Sequence, residues 1–192
     1  MTFRYPVVLG LEGKRCLVIG DAFGAEEKAR GLGEHGAVVT RRPDYEEGCL
    51  EGFFLVIAAT GDGALNARIA AEAGRMGILC NAVDDPPHCN FIFPAIHRQG
   101  DLTVAVSSGG KSPAVAARLR DRIAAGVGPE YGRLLELLGE LRKELAARFP
   151  DFDERRRLWY RLADSEALSL LRDSRGDEAG RLVRELIERT PA

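Results

Sequence analysis

Along the first ninety positions, apolar residues come in short runs separated by amphipathic stretches. Arg15 to Gly20 is a run of strand length that ends in glycine, and Ala37 to Arg41 and Phe53 to Ala59 are two more. The third is apolar at every position, which suits a parallel strand covered on both faces. Ile78 to Val83 is a fourth. Between these runs, Glu26 to His35 and Leu65 to Met76 repeat at helical spacing, with Gly36 and Gly77 placed as stops. Strands alternating with helices predict a doubly wound parallel sheet.

The periodicity changes after Pro86-Pro87. Phe91 to His97 and Leu102 to Ser107 flank the polar turn Gln99-Gly100 and predict an antiparallel hairpin. Its two strands carry more apolar side chains than an isolated pair covers, so pairing with a second copy is expected. Ala114 to Ala124 follows as a helix. From Gly128 onward the spacing is helical throughout: Leu134, Leu135, Leu137, Leu138, Leu141 and Leu145 follow it, and Pro150-Asp151 interrupts the run. Three further helices are expected at Asp153 to Ala163, Ser165 to Asp173 and Asp177 to Arg189, with Ser165 and Asp177 as N-caps. The expected architecture is α/β. A Rossmann-like parallel-sheet domain spans 1–98, a small dimerisation segment 99–127 and a helical C-terminal domain 128–192.

Composition narrows the function classes. With 45% hydrophobic and 29% charged residues, the 192-residue chain reads as soluble and globular. A formal net charge of −2 argues against nucleic acid as a partner. No apolar run reaches the roughly 18 residues of a membrane span. The start, Met1-Thr-Phe-Arg-Tyr-Pro6, has neither the apolar core nor the cleavage pattern of a secretory signal. Cys16, Cys49, Cys80 and Cys89 show no C-x-x-C spacing, which favours structural thiols in a reducing cytoplasm over a zinc site. No metal ligand set is assigned. His88 is close to Asp84 and Asp85 in sequence, but a lone loop histidine reads first as a solvated side chain.

Three segments carry candidate chemistry. Gly20-Asp-Ala-Phe-Gly-Ala25 follows a strand and opens a helix, the place of a dinucleotide fingerprint, so Gly20, Ala22, Phe23, Gly24 and Ala25 are candidate cofactor contacts. That fingerprint wants glycine where Ala22 stands, so a turn that no longer holds a nucleotide is the competing reading. Where an acidic ribose ligand is usual, the chain has Arg41-Arg42-Pro43. Arg41 suits a 2′-phosphate and so NADP over NAD, or is a plain surface charge. Asp84 stands at a strand end, where carboxylates of open α/β sheets do chemistry, though a turn aspartate before Pro86-Pro87 has the same look. Ser107-Ser-Gly-Gly-Lys-Ser-Pro113 is a donor-rich turn entering a helix, suited to an anionic ligand or simply a capped helix start.

Taken together, Tyr5-Pro-Val, Leu11 to Gly20, Lys28-Ala29, Ala58-Ala-Thr60, Leu65-Asn66, Asn81-Ala-Val-Asp84, Phe93-Pro-Ala95 and Val106 to Gly110 fit one ordered pattern. This resembles the precorrin-2 dehydrogenase / sirohydrochlorin ferrochelatase (siroheme synthase) family over roughly the first two-thirds of the chain. The resemblance implies NAD(P)-dependent oxidation of precorrin-2 to sirohydrochlorin, with Fe²⁺ insertion as a possible second activity and a homodimer with interlocked central domains. It implies Asp84 as the residue serving both reactions and Thr60 on the cofactor side. It also puts Asn81, Ser107, Ser108, Gly109, Gly110 and Lys111 against a carboxylate-ringed tetrapyrrole. Ser108 falls at a serine that some family members phosphorylate. Two departures weigh against the cofactor. Asp21 and Ala22 replace two of three consecutive glycines, and the segment from Val39 to Phe54 is short by about a strand and its loop. A chelatase or tetrapyrrole-binding relative without a dinucleotide is the rival those departures allow.

Overall fold

Four apolar runs pair in parallel, as their continuous hydrophobicity requires. Arg15–Ile19 (β1), Val38–Arg42 (β2), Leu55–Ala58 (β3) and Leu79–Ala82 (β4) form one sheet in the order β2-β1-β3-β4. The two helices are Ala25–Glu34 (α1) and Gly63–Met76 (α2). On one face, Cys16, Val18, Leu55 and Ile57 pack with Ala25, Ala29 and Leu32 of α1. On the other, Leu17, Ile19, Val56 and Ala58 pack with Ile69 and Ala73 of α2. This computed structural model describes residues 5–191, so Met1 to Arg4 of the expected non-signal start lie outside the described residues. The chain divides into two compact units: residues 5–93 with 109–111, and residues 94–108 with 112–191.

No strand or helix lies between β2 and β3. Residues 43–54 instead cover the α2 face, with Tyr45, Cys49, Leu50 and Phe53 against the sheet. Glu72, buried within α2, fastens this connection by accepting from the Tyr45 hydroxyl and, at 2.9 Å, from the Gly48 amide. Burial, and then the Glu72 carboxylate, push the Tyr45 hydroxyl up to about 12.

In the second unit, Ala95–Gln99 (β5) and Leu102–Val106 (β6) form the antiparallel hairpin, and Pro113–Ala124 (α3) follows. The first hairpin strand begins four residues later than Phe91. Phe91 and Ile92 are committed to the cores of the first unit, and Pro94 separates them from β5. Five helices complete the chain: Pro129–Glu140 (α4), Arg142–Arg148 (α5), Phe152–Ala163 (α6), Ala167–Arg172 (α7) and Gly176–Glu188 (α8). Leu134, Leu138, Leu141, Leu145 and Phe149 meet Leu158, Leu162 and Leu171, and Ala179, Val183 and Ile187 supply the one buried stripe of α8. A Cβ on Gly132 would stand 2.8 Å from the Gln99 carbonyl oxygen, so α4 crosses the hairpin turn where only glycine fits.

Two expected N-caps differ. The N-cap of α7 is Glu166, although the Ser165 hydroxyl still accepts from the Ala167 amide at 3.3 Å. Asp177 lies inside the first turn of α8, where its charge favours the helix dipole, and Arg175 is the N-cap.

Glu130 is the buried charge of the helical unit. Its side chain is 8% exposed and accepts from Arg172 Nη2 at 2.9 Å and Nε at 3.1 Å. Backbone amides at the start of α4 and the Arg172 guanidinium hold its carboxyl below the ordinary range. A lowered folded pKa gives stability that is present above the unfolded value and lost as pH falls through the folded one. Wild type is therefore expected to melt above Glu130→Gln at neutral pH. That lead should shrink as pH falls below about 4.3, the ordinary glutamate value. Thermal melts of both proteins from pH 7 to 3 check this, and a lead that grows towards acid would contradict it.

Candidate functional site

The parallel register puts three sequence-predicted positions on one sheet edge. Ile19, Ala58 and Ala82 are level across β1, β3 and β4. Gly20, Thr60 and Asp84 therefore all leave from the carboxyl edge. Strands about 4.8 Å apart put Asp84 two strands, or roughly 10 Å, from the glycine turn. The crevice opens between β1 and β3, whose helices leave to opposite faces, the switch point where open α/β sheets bind ligands.

Gly20 has φ 88°, and a Cβ there would lie 2.2 Å from the Ala59 carbonyl oxygen, so no other residue fits. The Ala22 amide donates to that same carbonyl at 2.9 Å. Gly24, at φ 84°, is the N-cap of α1 and makes no side-chain cap. The amides of Asp21, Phe23 and Gly24 enter no backbone hydrogen bond among the described residues, so the turn presents donors at a helix N-terminus. Ala25 is buried at the first helical position, while Phe23 is 94% exposed. Asp21, Glu26 and Glu27 put three carboxylates around this end.

Cations answer part of that charge. Arg41 at the end of β2 pairs with Glu26, with side-chain exposures of 47% and 75%, so the pair is weak and separable. Lys28, one turn into α1, reaches back until Nζ lies 3.5 Å from where a Gly24 Cβ would stand, and it covers the Phe93 ring at 5.6 Å. Thr60 is fixed through its hydroxyl, which donates towards Asn66 Oδ1 at 2.8 Å, while its amide donates to the same oxygen at 3.2 Å. Sequence reasoning noted Leu65-Asn66 as a pattern and missed that Asn66 orients the crevice wall.

A dinucleotide's backbone needs are met here. Gly20 closes the tight turn, Gly24 leaves space at the α1 N-terminus, and amides face outward. The Asp21 carboxylate and the Ala22 methyl are the discordant groups within the turn. Gly20 to Ala25 would hold the pyrophosphate, Arg41 the adenosine ribose or its phosphate, and Thr60 the crevice wall.

Asp84 is exposed and sits at φ 58°, one of two described non-glycine residues with positive φ. Such a conformation costs of order 1 kcal/mol, less for aspartate than for most residues. No described residue bonds its carboxylate. Neighbouring Asp85 is engaged, accepting from His88 Nδ1 at 2.7 Å. Asn81 is buried, and its amide donates to the Phe91 carbonyl at 3.2 Å and to Cys89 Sγ at 3.5 Å. Burial, and then the nearby Cys89 thiol, push Cys80 up to about 12.

The second predicted cluster divides. Gly109, Gly110 and Lys111 belong to the first unit, where a Gly110 Cβ would meet Pro86 Cβ at 3.5 Å, so this turn lies against the loop that follows Asp84. Ser107 and Ser108 belong to the second unit. The Ser108 hydroxyl accepts from the Ser112 amide at 3.0 Å, and Ser112 caps α3. Among the described residues no cluster of three or more His, Cys, Asp or Glu is placed to hold a metal ion, and no helix is long and apolar enough to cross a membrane.

Three family models match successive stretches of the chain. An NAD(P)-binding family model matches residues 38–95, the sirohaem biosynthesis protein central region matches 99–125, and the sirohaem synthase dimerisation region matches 130–187. The chain is 36% identical to a siroheme synthase of Methylococcus capsulatus, over 94% of this chain and 42% of that protein. It is 32% identical to one from Pseudomonas fluorescens, over 97% of this chain and 45% of that protein. The chain thus spans less than half the length of the curated relatives it matches. Among solved structures, SirC, a precorrin-2 dehydrogenase, superposes with a TM-score of 0.71 at 20% identity, covering 95% of this chain and all of that one. The fold is therefore that of the precorrin-2 dehydrogenases.

Asp21 generates a prediction. Replacing Asp21 and Ala22 together by glycine should tighten NAD(P) binding by about 1 kcal/mol, since an exposed charge is largely screened. Calorimetric titration of both dinucleotides checks this, and an unchanged affinity would mean that the turn's departures from glycine are neutral.

Proposed function

Because the chain belongs to the siroheme synthase family, we propose that it oxidises precorrin-2 to sirohydrochlorin with NAD(P), and that it inserts Fe²⁺ into the product. The observation that carries this reading is Asp84, an exposed carboxylate held at positive φ on the same sheet edge as the glycine turn. Oxidation removes a hydride and a proton from the macrocycle. The dinucleotide, when bound, supplies the hydride acceptor. Asp84 accepts the proton through a carboxylate oxygen. Metal insertion expels pyrrole protons as Fe²⁺ enters as substrate, and the same carboxylate receives one of them. Lys111 and the amides of Gly109 and Gly110 pair with the substrate's peripheral carboxylates. Asn81, through its bond to the Phe91 carbonyl, holds the chain that follows Asp84.

In this reading residues 1–98 carry the cofactor, 99–127 pair across a two-fold axis and 128–192 extend the interface. The assembly is a homodimer working in the reducing cytoplasm. Alternate hairpin positions are exposed, including Ile96 at 40%, and α3 presents Val115 and Leu119 at 62% and 46%. A second copy would cover this apolar row. Light scattering at micromolar concentration should give twice the chain mass, and Val115→Glu with Leu119→Glu should give the single mass. A wild type that is monomeric throughout would remove the dimer.

Asp84→Asn should retain the fold and the affinity for precorrin-2 while turnover falls by roughly 10²–10⁴-fold, the loss expected for a general base. Asp85→Asn should matter far less, because Asp85 serves His88. Sirohydrochlorin formation and Fe²⁺ insertion are followed separately. Wild-type rates of both in Asp84→Asn would remove the mechanism. A wild type that inserts metal but never oxidises precorrin-2 would make it a chelatase alone.

A further inference from the structure

The turn that carries Asp84 is stapled by a thiol. Residues 82–85 close with the Asp85 amide donating to the Ala82 carbonyl at 3.3 Å, and Asp84 is the third residue of that turn. Cys89, buried beneath it, touches both ends. Its Sγ accepts from the Ala82 amide at 3.2 Å. The same sulfur lies 3.2 Å from the Ala82 carbonyl oxygen and 3.3 Å from that of Asp85, so its proton is shared across the two ends of the turn. The Asn81 amide donates to it from below at 3.5 Å. Each thiol contact is weak alone. Together they tie both ends of the turn to one buried side chain, where such contacts count most.

We propose that Cys89 is a positioning residue for the reaction, holding Asp84 in its left-handed conformation so that the carboxylate meets the proton it accepts. The inference rests on the reading of Asp84 as that acceptor. Nothing in the chemistry of the thiol is consumed. Cys89 neither touches substrate nor changes redox state, and it acts only through the backbone of residues 82–85. Misplacing a reacting group by about 1 Å can cost on the order of 10²-fold in rate. The predicted deficit therefore falls on kcat and not on substrate affinity.

The test is a double-mutant cycle on the full chain, with precorrin-2 affinity read by absorbance titration and turnover by sirohydrochlorin formation. Cys89→Ala should bind precorrin-2 as wild type does and lose roughly tenfold to hundredfold in kcat. In an Asp84→Asn background the same change should cost nothing further, since there is no longer a carboxylate to position. Cys89→Ser keeps a donor and an acceptor in place. It should recover most of the rate, and it carries the test if the alanine protein does not fold. Amide exchange at Asp85 supplies a readout apart from activity, and should quicken in Cys89→Ala. A Cys89→Ala enzyme with wild-type kcat, or a loss that adds fully to that of Asp84→Asn, would overturn the proposal. If Asp84→Asn itself turns over normally, the reading of Asp84 fails and the positioning role fails with it. A slow Asp84→Asn beside a fast Cys89→Ala would sink the thiol alone.

Discussion

The contact between Gly20 and the end of β3 sets the geometry of everything on the carboxyl edge. A Cβ at Gly20 would stand 2.2 Å from the Ala59 oxygen and 2.6 Å from Thr60 Cα. Two backbones therefore pass with no room for a side chain, and the Ala22 amide seals the approach by donating to Ala59. Because β1 and β3 leave their helices on opposite faces, this pinch lies at the floor of the crevice, and the α1 N-terminus is aimed across it. Asn66 fixes Thr60 on one wall, and the Cys89-stapled turn presents Asp84 beyond it. Gly20, Thr60 and Asp84 each follow a strand end by no more than two residues, so the buried sheet sets their spacing.

The shortened connection after β2 changes what surrounds that edge. With no strand outside it, β2 is an edge strand, and unpaired strand edges invite association. Arg41 and Arg42, both exposed at its end, are the charges that discourage this. The connection itself gains its order from Glu72, which spends a buried carboxylate on Tyr45 and Gly48. A buried charge is tolerable when its oxygens are bonded, and here both are. The arginines, read from the sequence as cofactor ligands or surface charges, thus have a structural reason to be where they are. The partnership of Arg41 with Glu26 leaves the ligand role open to displacement.

What could be read beforehand followed from how local the cause is. Strand and helix existence is written in short apolar runs and 3.6-residue spacing, so all four parallel strands and the hairpin were legible. Asp62, which caps α2 through the amides of Ala64 and Leu65, moved that helix start two residues ahead of the apolar periodicity. Phe91 and Ile92 look like strand but are claimed by cores far away in sequence, which no local pattern reports. The same holds for the site. Gly20 and Asp84 announce themselves by position after an apolar run. Cys89 and Asn66 act across turns on groups four to seven residues away, which periodicity does not report, and a lone cysteine in a Pro-rich loop carries no periodic signal at all.

The electrostatics of the glycine turn show how such a site serves two ends. Glu26 and Glu27 in the first turn of α1 favour the helix dipole and so stabilise the free protein. The same dipole and amides are what attract a phosphate, and each carboxylate there opposes it. Arg41, paired with Glu26, neutralises one carboxylate, and Lys28 approaches Gly24 from the second turn while its ammonium lies over the Phe93 ring. Local charge at the turn is therefore closer to balance than its acidic residues alone suggest. Asp21 and Glu27 form no ion pair among the described residues. The helix start is thus biased towards its own stability, and a dinucleotide must be held chiefly by turn amides and shape, with little help from net attraction.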